Sequence, residues 1–189
     1  MDNEVSAGST TSTLGHLALG LTLLAFGIGT TRVIDGVTVA DAVSIATYIG
    51  GIGLFVLGVL AFREHDAFTG TAFAGLGAFW FTWAAGAQTK FSANASGLFL
   101  VLFALLALSL AAGSAGGGLF RQGTYGLLFL ALVVLAVGQF ADSSVLARAA
   151  GWLAAVAGVV AWYGATASLA KWPTAMPRRA AGRGVTATG

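Results

Sequence analysis

The sequence predicts an all-α, polytopic membrane protein, a bundle of six transmembrane helices in each protomer. Three observations carry this. Only 8% of the 189 residues are charged while 57% are hydrophobic, at a mean hydropathy of +0.88, where an average soluble domain is about 25% charged. The charge is also clustered, at Arg32 to Asp41, Arg63 to Asp66, Lys90, Arg121, Asp142 to Arg148 and from Lys171 onward. Between the clusters lie six uncharged blocks of the roughly 20 residues that a spanning helix needs. Runs such as LFLVLFALLALSLAA do not alternate polar with apolar, so β-barrel strands are excluded.

The first block, 14–31, follows a segment that opens with Asp2 and Glu4 and has no basic leader, so it reads as a true span and not a signal peptide. The second, 42–62, is crowded by Gly50, Gly51, Gly53 and Gly58. In the third, 68–87, Gly70, Ala74 and Ala78 share one helical face, and Phe73, Phe79, Trp80 and Trp83 fill space around it. The fourth, 95–113, is the most uniformly apolar. The fifth, 124–141, holds Gln139, whose amide must face protein or water because it is costly to leave unpaired in lipid. The sixth, 149–170, repeats the small-residue face with Ala150, Ala154 and Gly158. Helices in lipid associate through such close-packing faces, since no hydrophobic effect drives them together there.

The organisation expected is a cytoplasmic N-terminal segment (1–13), a six-helix transmembrane domain (14–170) and a basic, disordered cytoplasmic tail (171–189). One side of the six-span scheme carries Arg63, Arg121, Lys171, Arg178, Arg179 and Arg183, and the other Arg32, Lys90 and Arg148. The positive-inside rule then puts both termini in the cytoplasm, with the cell membrane as location. The tail arginines are suited to anionic lipid headgroups. Nucleic acid is not an expected partner.

With no cysteines and only two histidines, His16 and His65, the chain offers no metal cluster or thiol nucleophile, and no cofactor is expected. No Asp, Glu, Lys or Arg lies near the middle of a span, so a relay of intramembrane carboxylates is missing. Nor do the spans pair carboxylates for catalysis, so the chain is read as a non-enzyme. Mild polar groups remain, among them Thr22, Thr71, Thr82 and Gln139, which can hydrogen-bond a small solute without holding it tightly.

The third span, FTGTAFAGLGAFW, resembles the signature F-G-x-T-A-F-x-x-Y-G-x-F-W of the acetate uptake transporter family, also called the GPR1/FUN34/YaaH family, with Phe68, Thr71, Ala72, Phe73, Gly77, Phe79 and Trp80 in register. YIGGIG (Tyr48 to Gly53), LAVGQ (Leu135 to Gln139) and AGW (Ala150 to Trp152) resemble further family segments, in order, over about residues 13–170. The resemblance implies a six-helix protomer assembled as a homo-hexamer, each protomer moving acetate and related small monocarboxylates by a channel-like or proton-coupled route.

Members narrow the route with an aromatic pair and a leucine, and by register these positions are Leu19, Leu76 and Leu128. Only Leu128 keeps the family residue; the other two would make the constriction wholly aliphatic, a gate that works by dewetting. The entrance motif keeps only Leu14 and Gly15, with both prolines gone. Thr22, Thr71 and Thr82 match family threonines and Gln139 replaces an asparagine, so these are expected to line the path. His16, beside the entrance segment, is a candidate proton-sensitive residue because imidazole titrates near neutral pH. Two other readings stay open: a channel for a small neutral solute such as urea, ammonia or a short amide, and a non-transporting membrane scaffold.

Overall fold

Short loops between long apolar helices force consecutive helices to run antiparallel. The described residues of the computed structural model are 10–37, 39–89 and 91–172. Lys90, most of the N-terminal segment and the tail arginines Arg178, Arg179 and Arg183 lie outside them. Every regular element among the described residues is helical.

Helix α1 covers Thr10–Thr31, α2 Val39–Ile45, α3 Leu54–Arg63, α4 Ala67–Thr89, α5 Ala93–Gly113, α6 Leu119–Phe140 and α7 Ser144–Leu169. Each of the six uncharged blocks has become one rod, with ends extended into the polar flanks. The second block is α2 and α3 joined by a π-helical stretch, Ala46–Gly53. Hydropathy alone does not reveal such a stretch. Five rods are long and apolar enough to cross a membrane: Thr10–Thr31, Asp41–Arg63, Ala93–Gly113, Leu119–Phe140 and Ser144–Leu169. The sixth, α4, has the length, 23 residues, but its Gly, Ala, Thr and Trp content makes it less apolar, and it is not among the five.

Helix ends are closed by the chain itself. Ser92 and Ser143 cap α5 and α7, accepting from the backbone N–H of Ala95 and Leu146. Helices α3, α6 and α7 stop where His65, Asp142 and Lys171 adopt positive φ (61°, 47° and 54°), and the next residue donates back across the last turn, as in Asp66 N–H to Ala61 O at 3.0 Å. These are Schellman closures built without glycine.

Packing is by backbone approach. A Cβ on Gly27 would lie 2.6 Å from Gly151 O, one on Gly158 2.8 Å from Gly20 O, and one on Gly58 2.3 Å from Ala74 N. The first two contacts join α1 to α7 and the third joins α3 to α4, so the small-residue faces are where the rods touch. Helix α5 packs on α6 and leaves Leu98, Leu102, Leu105 and Leu108 exposed, the apolar surroundings a lipid-facing rod requires.

Helices α1, α4 and α6 all start at the same end of the bundle, which we call the Arg121 end. Thr11 there donates to Glu64 at 2.5 Å, and the Arg121 guanidinium lies over the Phe68 ring, 5.3 Å from its centroid. The opposite end carries Gln139.

Candidate solute pathway

The interior is arranged in layers that follow from helix phase. At the first layer His16 of α1, Phe73 of α4 and Tyr125 of α6 meet: the His16 and Phe73 rings pack edge-on with centroids 5.2 Å apart, and the Tyr125 hydroxyl lies 3.4 Å from His16 Nε2. Three residues further along each helix stand Leu19, Leu76 and Leu128, a rise of about 4.5 Å. All three leucines are buried, in one apolar cluster, at 0%, 1% and 2% exposure. Because the three helices run the same way and are tied together one turn earlier, the leucines form the next layer.

Beyond that layer the centre stays dry. A cavity of about 10 Å³ is walled by Leu23, Phe26, Phe79, Trp80 and Leu128 among others. One water needs about 10–15 Å³, so no solute fits there. A stacked aromatic group, Phe79 with Trp83 and Phe99, continues toward the Gln139 end.

Each end, by contrast, is open and polar. At the Arg121 end a cavity of about 420 Å³ is bounded by Ser12, His16, Arg121, Thr124 and Ser168, with the Gly116 to Gly118 turn at its rim. At the Gln139 end a cavity of about 220 Å³ is bounded by Thr82, Trp83, Ser96, Phe99 and Gln139. Among the described residues, a vestibule at each end is thus separated by a closed waist.

His16 is held by its neighbours. Nδ1–H donates to Ser12 O at 2.8 Å, which leaves Nε2 of the neutral ring to accept from the Tyr125 hydroxyl. The Arg121 guanidinium rests over Gly117, where a Cβ would overlap it, so a side chain at 117 would displace the guanidinium. Arg121 Nε is buried without a hydrogen-bond partner. Asp66, at the same end, accepts from Thr69 N–H at 2.9 Å. Partial burial pushes its carboxyl up, but the Thr69 hydrogen bonds and the Arg121 charge outweigh this and hold it below the ordinary carboxylate range.

The residues expected from sequence divide accordingly. Leu19, Leu76 and Leu128 come together, His16 borders the large vestibule, and Thr82 and Gln139 meet in the small one. Leu14 and Thr71 do not join them: Leu14 is 52% exposed, Thr71 is exposed too, and neither borders a vestibule. Each precedes an inward residue, His16 or Phe73, by two positions, about 160° around a helix turning about 100° per residue. Both therefore face outward. Gly15 is buried beneath the Phe73 ring, and Thr22 is buried against Gly50 with its hydroxyl donating to Ala18 O at 2.7 Å, so neither borders a vestibule. Tyr125, Arg121 and the indole N–H of Trp80 belong to the arrangement and were not singled out for it from sequence.

These features define a multi-pass helical membrane protein with a waisted interior. A family model for the GPR1/FUN34/yaaH family matches residues 4–176, and the chain belongs to that family. Among its relatives, the succinate-acetate/proton symporter SatP of Escherichia coli is 26% identical over 159 residues, covering 79% of this chain and 82% of the relative. The glyoxylate pathway regulator of Yarrowia lipolytica is 27% identical over 168 residues, and the match covers 83% of this chain but only 62% of that relative's length. In fold, the chain superposes on the solved structure of the bacterial acetate channel SatP with a TM-score of 0.78 at 23% identity, covering 90% of this chain and 98% of that one.

Proposed function

We propose that the chain is a transport pathway for acetate and related small monocarboxylates in the cell membrane, with six spans, both termini cytoplasmic and a homo-hexameric assembly. The observation that carries this reading is the closed leucine layer of Leu19, Leu76 and Leu128 set between two polar vestibules. Family membership and the activity of the relative SatP support the substrate class. Helix α4 is counted as the sixth span because it runs the full depth of the bundle beside the five more apolar rods.

The route runs from the Arg121 vestibule past His16 and Tyr125, through the leucines, and out beside Thr82 and Gln139. Leu14, Gly15, Thr22 and Thr71 shape the helices that carry it and do not border its vestibules. His16 is the proton-sensitive residue at its entrance. Coupling needs no buried carboxylate, since a simple carboxylic acid has a pKa of about 4 to 5 and can carry its own proton.

Uptake of radiolabelled acetate into proteoliposomes tests the reading, with and without an inward proton gradient and with propionate, lactate, succinate and urea as competitors. Saturable entry competed by propionate is expected. No entry into vesicles containing folded protein would overturn it.

A further inference from the structure

Two buried hydrogen-bond donors without acceptors lie on opposite sides of the leucine layer. Arg121 Nε is one, in the wall of the 420 Å³ vestibule; Trp80 Nε1 is the other, on a residue 1% exposed in the wall of the 10 Å³ cavity. Both groups can only donate. Leaving such a group buried and unpaired costs about 1–3 kcal/mol, so a ligand that brings an acceptor is favoured at each place. The hydroxyls nearby donate elsewhere, Thr124 to Phe120 O at 2.9 Å and Thr22 to Ala18 O at 2.7 Å, and neither accepts from Arg121 Nε or Trp80 Nε1.

The chemistry of the ligand follows from this imbalance. A carboxylate is acceptor-only, and its two oxygens suit a guanidinium in the vestibule and then a single indole N–H where there is no room for water. Urea, ammonia and short amides bring donors of their own, which the dry waist does not match, because Leu23, Phe26, Phe79 and Leu128 accept nothing. Charge points the same way. Arg121 forms no ion pair among the described residues, and Asp66 at the same end feels its charge without forming a salt bridge to it, so the guanidinium is left to meet an anion in the vestibule.

We propose that Arg121 and Trp80 are successive donor stations for the substrate carboxylate, Arg121 capturing it in the vestibule and the Trp80 indole receiving it past the leucine layer. This rests on the monocarboxylate reading above and assigns its recognition to two residues outside the constriction. The Arg121 station governs capture and the Trp80 station governs passage, so the two are separable in kinetics.

The test uses the full chain in proteoliposomes, with acetate and its neutral isostere acetamide as solutes, and compares wild type with Arg121→Gln, Arg121→Lys and Trp80→Phe. Losing a charge-assisted hydrogen bond should raise the acetate KM by about tenfold in Arg121→Gln, with partial recovery in Arg121→Lys. Trp80→Phe keeps an aromatic ring, though a smaller one, and loses the donor, so the maximal rate should fall by about fivefold at unchanged KM. Acetamide entry should change in neither. If Trp80→Phe does not fold, site-specific benzothienylalanine removes the same N–H without changing the shape. Wild type that carries acetate, with variants unaltered in KM and rate, overturns the donor stations and leaves the transport reading standing. A binding arm separates the two ideas in the other direction: if wild type carries no acetate but is thermally stabilised by it in detergent, and Arg121→Gln is not, the capture station stands and the transport reading falls. Neither transport nor stabilisation sinks both.

Discussion

The Tyr125 hydroxyl on α6 lies 3.4 Å from Nε2 of His16 on α1, directly before the leucine layer. Its partner nitrogen is the one that gains a proton when the ring becomes charged, because Nδ1–H is already committed to Ser12 O. Protonation reverses the bond, and the tyrosine hydrogen is then free to turn toward the vestibule. Arg121 and Asp66 are the other charged groups whose fields reach the ring. Replacing His16 with Gln should therefore flatten the pH dependence of acetate entry, since imidazole is a side chain that changes charge on the acid side of neutrality. Rates corrected for the ionisation of acetate itself, measured as pH is lowered, check this. An unchanged profile would remove His16 from the coupling.

The leucine layer makes a second prediction. Leu76→Ala shortens a side chain buried at 1% exposure and should raise acetate entry by about tenfold, equivalent to lowering the barrier by about 1.4 kcal/mol. It should also cost about 2–5 kcal/mol of stability. Leu76→Tyr adds a hydroxyl to the constriction and should change uptake, so unaltered entry would count against a gate at this level.

Backbone contact between rods makes a third. Gly27→Ala would set a methyl 2.6 Å from Gly151 O and 2.7 Å from Ala155 N, and neither backbone atom can rotate away. Overpacking of this kind costs about 1–3 kcal/mol. A lower unfolding temperature in detergent is expected, while Gly126→Ala, with nothing within 4 Å, should be neutral.

Asp66 supplies the fourth. It caps α4 by accepting from Thr69 N–H, and Asp66→Ala should lose about 1 kcal/mol. Its carboxyl is held below the ordinary carboxylate value of 3.8. The stabilisation is thus present above that value and is lost as pH falls through the lowered one. Thermal unfolding of wild type and Asp66→Ala should converge in acid.

Much of this architecture is legible in the sequence. Six uncharged blocks became six rods because a span must exclude charge over its whole length, a signal that needs no knowledge of partners. The small-residue faces were legible for the same reason, since Gly58 and Gly158 have few uses in lipid besides letting backbones approach. Direction around each rod was not. Leu14 and Thr71 match family positions yet point outward, because a register match fixes height along a helix and leaves the azimuth to the neighbours. Arg121 counted in the sequence only as a topology charge, and Trp80 as bulk and as a match to the family signature. What gives them meaning is the missing acceptor beside each, which exists only once the surrounding side chains are in place. The π-helical stretch was hidden too, since it places no charged residue in its block.

The glycine contacts carry one more consequence, and it concerns speed. Where backbones touch, as at Gly20 and Gly158, there is no layer of soft side chains through which one rod can tilt against another. The freedom left at the waist is torsional: leucines and an indole turning inside a stiff casing. Such rotations displace single side chains, where the microsecond-to-millisecond rocking of whole domains displaces entire rods. A casing so rigid would open by brief, local flickers, and its throughput would be set by how often the torsions align.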